Sequence, residues 1–257
     1  MATVLLGTVA IEPNRWGGVD PSWTPTVAVS EHLDRIAAAG FDGLELWEGH
    51  ALRARPGEAD AIAGGPVPVI VFNSYAGFDE PDRTARDQAA ATVRRFTSTG
   101  LKYNIGNDPS LTDTYIERIS GWVEQLPGVR LLCECHEGIS IAEDPAVAAQ
   151  VFEAAGPPDR VQAIVHLGED IELTRRRFEA YGERITHVHV NFLGQGAPPL
   201  RDIVDTVGDR VGRLQALGFD GTWTIEFTSG VGTDDDRAAR LFASAIDDLA
   251  VLREVLA

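Results

Sequence analysis

Lysine is almost absent from this chain. Lys102 stands alone, and arginine supplies the rest of the 22 basic residues. Against them stand 39 acidic residues, for a formal charge of -17 at pH 7. A polyanion gains few counterion-releasing contacts from such a surface, which excludes nucleic acid as a partner. Long hydrophobic runs are missing too: none approaches the roughly 18 residues needed to span a bilayer. The opening segment MATVLLGTVA runs into a strand-like stretch without a basic leader. No membrane partner and a cytoplasmic location are therefore expected. Cysteine is scarce. Cys133 and Cys135 lie two apart in one strand, where local geometry opposes a bridge, and they read as small buried hydrophobes in a reducing compartment.

What is present is alternation. Strand-like runs fall at Thr3 to Ala10, Gly43 to Trp47, Val67 to Ser74, Leu101 to Ile105, Val129 to Cys135, Val161 to His166, Ile185 to Asn191 and Gly221 to Phe227. Between them lie segments with helical spacing, such as SEHLDRIAAAG, DPAVAAQVFEAAG and VDTVGDRVGRLQALG, several opened by Ser or Asp and closed by Gly. The stretch around Gly57 to Ala63 is the weakest and is expected to be mostly loop. Eight strand-helix units in 257 residues, with 44% hydrophobic content, predict a (β/α)₈ TIM barrel. No linker or low-complexity run interrupts the order, so a single domain over residues 1–257 is expected.

Four of these runs end on a metal-binding side chain: LLCE at Glu134, AIVH at His166, THVHV at His189 and TWTIE at Glu226. Their spacings of 32, 23 and 37 residues are each about one strand plus one helix. Strand alternation puts Glu134 on the inner face with Leu132 and His136, and Cys133 and Cys135 toward the helices. His187, His189 and Asn191 share an inner face, as do Thr222, Thr224 and Glu226. All four ends fall where barrel active sites lie. A lone strand-end glutamate is commonly a solvated end residue; four such positions in register point to one metal site.

The segments GFDGLELWEGH, VRLLCECHEGISIAED, RITHVHVNF and GFDGTWTIEF resemble strands two, five, seven and eight of the xylose-isomerase-like TIM-barrel superfamily, the sugar phosphate isomerase/epimerase group. That resemblance implies a divalent metal held from strands five to eight, with Glu134, His189 and Glu226 as ligands. At the sixth strand the family has Asp followed three residues later by His, whereas this chain has His166 followed by Glu169. Either His166 replaces the aspartate or Glu169 reaches in from the loop.

Two imidazoles beside two carboxylates neutralise a dication and favour a transition metal such as manganese, zinc, cobalt or iron over magnesium. Such an ion acidifies the C–H between a chelated carbonyl and hydroxyl. The resemblance implies Glu134 and Glu226 as the pair that removes and returns the proton through an enediolate. The expected activity is isomerisation or epimerisation of a small ketose or related polyhydroxy ketone. A dehydratase or lyase acting on a keto-sugar or keto-inositol, and a non-catalytic barrel subunit, remain as alternatives. Candidate substrate contacts are His136, Glu169, Asn191, Trp16, Glu45 and His50. Structural roles compete at several of these: Glu45, Trp47 and His50 belong to the second strand's end, Trp16 and Trp23 equally suit a loop staple, and His187 reads as packing one layer deeper. His32 reads as a surface residue of the first helix. A Schiff-base barrel needs an inward lysine at a strand end, and Lys102 sits near the start of its expected strand. No basic cluster marks the loops after strands seven and eight, so nothing calls for a phosphate group. A homo-oligomer is compatible with the sequence, which is otherwise silent on assembly.

Overall fold

The computed structural model describes residues 2–136 and 138–257. Strands and helices alternate along it. The first half runs β1 (Val4–Gly7), α1 (Leu33–Ala39), β2 (Gly43–Trp47), α2 (Glu48–Leu52), α3 (Glu58–Ala63), β3 (Val69–Asn73), α4 (Arg83–Phe96), β4 (Gly100–Tyr103) and α5 (Thr112–Gln125). The second runs β5 (Arg130–Glu134), α6 (Pro145–Ala155), β6 (Val161–His166), α7 (Ile171–Tyr181), β7 (Ile185–Val190), α8 (Val204–Ala216), β8 (Thr222–Ile225) and α9 (Ala238–Val255). The strands form one closed barrel in chain order, and β1 pairs in parallel with both β2 and β8. This is the (β/α)₈ architecture that the alternation predicts. Among the described residues no helix is long and apolar enough to cross a membrane.

The residues gather into two compact units, Met1–Ile70 with His166–Glu169 and Val188–Ala257, and Val71–Val165 with Asp170–His187. The divisions fall inside β3, β6 and β7 rather than at linkers. In the first unit Leu5 of β1 is level with Gly43 of β2 and Thr224 of β8. Gly7 ends β1 against β8, where a Cβ would lie 2.9 Å from the Ile225 carbonyl oxygen, so any other residue would push these strands apart. Val4, Leu5, Leu6, Leu44, Leu46 and Ile225 are buried, and α9 adds Leu241, Phe242, Ala245, Leu249 and Leu252 at helical spacing.

In the second unit Lys102 is level with Leu132, and Leu132 with Gln162. Tyr103 packs edge-on against Phe78 and Trp122 of the surrounding layer, with ring centroids 5.3 and 6.1 Å away. By alternation Leu101 and Tyr103 face the helices and Lys102 faces the barrel interior. Helices α6 and α7 start as their sequences announce. Asp144 caps the N–H groups of Ala146 and Val147, and Asp170 those of Glu172 and Leu173.

Two local expectations change. The stretch around Gly57 to Ala63 forms α3, entered through Gly57 at φ 84°. The Glu58 carboxylate there accepts from the backbone N–H and hydroxyl of Ser30, both at 2.8 Å, which fixes the helix start. Ser30 therefore does not cap α1, whose N-cap is His32; α8, with Ile203 at its N-cap, likewise has no side-chain cap. His32 is half-buried, its ring 5.5 Å from that of Phe242.

Candidate metal centre

His166 closes β6, His189 is the fifth residue of β7, and Glu226 follows β8 directly. His189 is fully buried and Glu226 nearly so. Both imidazoles come near Glu226 without a hydrogen bond to it: its Oε1 lies 3.3 Å from His189 Nδ1 and its Oε2 lies 3.8 Å from His166 Nε2. The second ring nitrogen of each histidine is held by another carboxylate. His166 Nδ1 meets Glu169 Oε1 at 2.8 Å, and His189 Nε2 meets the two oxygens of Glu45 at 3.0 and 3.2 Å. A carboxylate behind an imidazole fixes its ring orientation and raises its basicity as a ligand. Asn191 donates from Nδ2 to Glu226 Oε2 at 2.8 Å and fixes that carboxylate.

Glu134 ends β5 and is nearly buried. Its Oε2 lies 2.6 Å from Nζ of Lys102. Sequence reasoning places Lys102 near a strand start because the apolar run extends to Ile105. The strand instead stops at Tyr103, so Lys102 is its penultimate residue, 1% exposed, with Nζ 4.2 Å from the centroid of the Tyr75 ring.

Within the first unit His166, His189 and Glu226 each offer one ligand atom, and these atoms lie within 4.8 Å of one another. Atoms held about 2.1 Å from one ion are roughly 3–4 Å apart, the range of the His–Glu226 separations. Two imidazoles with a carboxylate suit a divalent transition metal in donor type. Glu169 is engaged with His166 and does not appear in this set.

The remaining candidates occupy varied surroundings. His136 is exposed: β5 ends at Glu134, and the chain turns so that the His136 N–H reaches the Glu134 carbonyl at 2.9 Å. His50 is fully buried, with its ring nitrogens 3.0 Å from Thr8 Oγ1 and 3.2 Å from Glu12 Oε2. Glu45 is fully buried on His189. Trp16 is half exposed, its ring 5.8 Å from that of Phe227, the residue after Glu226. Trp23 is also exposed, at φ 59°, and its indole lies beside Gly17. Cys133 and Cys135 are buried free thiols, and Cys135 faces α7, where the Tyr181 hydroxyl lies 3.6 Å from its sulfur. Burial pushes the Cys133 thiol well above its ordinary range.

Glu12 escapes sequence reasoning, because a carboxylate opening a polar loop reads as solvated. It is fully buried and anchors the loop after β1. It accepts from the N–H groups of Asn14, Thr26 and Val27 and from the Thr26 hydroxyl, and faces His50. Burial alone would raise its pKa, but the bonds from His50, Thr26 and Asn14 outweigh that and bring it from 4.5 to about 2. Arg15, also buried, ties the same loop to Asp236 through two bonds of 2.8 and 3.0 Å.

No family model matches the chain and no curated protein matches it. Solved structures share its fold. The probable 3-DHS dehydratase AsbF of Bacillus anthracis superposes with a TM-score of 0.60 at 14% identity, covering 97% of this chain and 99% of the other. A xylose isomerase domain protein of Alicyclobacillus acidocaldarius gives 0.56 at 14% identity, over 99% and 100% of the two chains. A sugar phosphate isomerase/epimerase of Parabacteroides distasonis gives 0.56 at 11%, over 98% and 96%. The chain thus shares the (β/α)₈ barrel fold with these proteins. At such identities the likeness establishes the fold and leaves the reaction to be argued from the site.

Proposed function

We propose that this chain is a divalent-metal-dependent isomerase or epimerase that moves a proton at the carbon beside the carbonyl of a small polyhydroxy ketone. One observation carries the reading: His166 and His189 each give one ring nitrogen to a supporting carboxylate and turn the other toward Glu226. Buried packing alone does not require two imidazoles to be oriented in this way on a third acidic group. Glu134, His166, His189 and Glu226 would hold the ion. A bound divalent metal supplies Lewis acidity to a carbonyl and its neighbouring hydroxyl.

The chain's own residues do the rest. Glu134 and Glu226 are the carboxylates available to take the proton and return it, a contribution of about 10²- to 10⁴-fold. Asn191 holds Oε2 of Glu226 and leaves Oε1 as the oxygen less encumbered by side-chain amides. Glu45 and Glu169 keep the imidazoles aimed. The exposed Trp16, beside Phe227, would cover the apolar face of a sugar-sized substrate.

Elimination is the second reading, supported by the likeness to a protein described as a probable dehydratase. The same proton removal becomes dehydration when a hydroxyl sits β to the carbanion. Product analysis separates the two.

The test of the common reading is metal content. The purified protein is expected to carry, or be activated by, manganese, zinc, cobalt or iron, and Glu226→Gln to release the metal and abolish turnover. Full activity in excess chelator would contradict it.

A further inference from the structure

The single lysine is the feature the proposed chemistry does not absorb. Every other cation of the chain is an arginine and the lone ammonium is nearly buried, so its position is not a matter of composition. An ammonium is costly to take out of water unless a partner offsets the loss. Nζ of Lys102 meets Oε2 of Glu134 at 2.6 Å, and Glu134 is one of the residues proposed to hold the metal.

We infer that Lys102 is a place-holding cation of the metal centre: it neutralises Glu134 while the metal is absent and weakens the hold on the metal when it binds. The inference rests on the metal reading and deepens it. Two carboxylates and their neighbours repel one another in a metal-free site, and an ammonium on Glu134 relieves that repulsion. A dication arriving at the same carboxylate then faces a cation one hydrogen bond away. Both effects act in one direction. Lys102 stabilises the empty site and destabilises the loaded one, which makes the metal exchangeable.

Residue type supports the role. An ammonium is a compact charge on a flexible stem, whereas a guanidinium holds a carboxylate in a rigid fork. Tyr75 offers a second seat: its ring centroid is 4.2 Å from Nζ, and the face of a phenol ring attracts a cation as Glu134 turns to the metal. Tyr75 is also partly exposed, so the ammonium moving toward it approaches water. Lys102 is a positioning residue in this account, because it acts through Glu134.

The experiment compares the full-length parent, Lys102→Met, Lys102→Gln and Lys102→Met/Glu134→Gln. Mn²⁺ affinity is read by competition with a chelating indicator, and melting temperature is measured with and without Mn²⁺. Both single variants should bind Mn²⁺ about tenfold tighter or more, because the repelling charge is gone and the empty site is less stable. Metal-free Lys102→Met should melt below the parent and recover with Mn²⁺, and the double variant should regain the metal-free melting temperature. Lys102→Gln keeps a hydrogen-bond donor for Glu134 and carries the test if Lys102→Met fails to fold. Equal or weaker Mn²⁺ binding in both single variants overturns the role. A parent that binds none of Mn²⁺, Zn²⁺, Co²⁺ and Fe²⁺ would sink the metal reading alone. In that case the role of Lys102 stands if Lys102→Gln acquires Mn²⁺ binding and falls if it does not.

Discussion

Replacing Glu12 by glutamine keeps the shape of the side chain and removes its charge. The consequence can be worked from the clamp it forms. The carboxylate is fully buried and its pKa falls from 4.5 to about 2, so the folded protein favours the ionised form by about 3 kcal/mol at neutral pH. The sign follows from a depressed folded value: this stabilisation is fully present above 4.5 and is lost as pH falls toward 2. Glu12→Gln should therefore cost about 3 kcal/mol near pH 7, or roughly 6–12 °C in melting temperature if the loss is global. The difference from the parent should narrow steadily below pH 4.5. Hydrogen exchange at the amides of Asn14, Thr26 and Val27, which donate to this carboxylate, tells a local opening from a global one. Because the loop carries Trp16 beside Phe227, opening it should also raise KM. Unchanged melting together with unchanged exchange at these three amides would refute the reasoning.

Glu169→Gln removes the carboxylate behind His166 and should weaken metal binding by about 10- to 100-fold, measured by indicator competition; unchanged affinity would deny Glu169 an orienting role. The chain should unfold in one calorimetric transition, because β3, β6 and β7 each contribute residues to both compact units; two separated transitions would contradict the expectation of one domain.

The architecture was legible because eight apolar runs alternate with helical spacing, and period-two alternation placed His166, His189 and Glu226 at strand ends with no help from tertiary structure. Legibility failed where a strand's true end differs from the end of its apolar run. Ile105 continues the hydrophobic pattern beyond β4, which made Lys102 look remote from the mouth, and the alternation of β5 was extended to His136 although the backbone turns after Glu134. Long-range pairings were invisible for a different reason. Nothing local announces that Glu45 will meet His189, 144 positions away, or that Glu12 will meet His50, 38 away. His166 and Glu169, the two alternatives at the sixth strand, lie 2.8 Å apart, a pairing that spacing alone does not announce.

The most direct test of the proton-transfer account is solvent deuterium exchange. The protein is incubated in D₂O with a panel of ketoses and keto-inositols, with added Mn²⁺ or with excess chelator, and carbon-bound label is read by NMR. Label should enter substrate or product at a single carbon beside the carbonyl, in the metal-supplemented arm only, and Glu134→Gln or Glu226→Gln should suppress it. Conversion with every carbon-bound hydrogen retained would indicate hydride transfer and would contradict the two-glutamate mechanism.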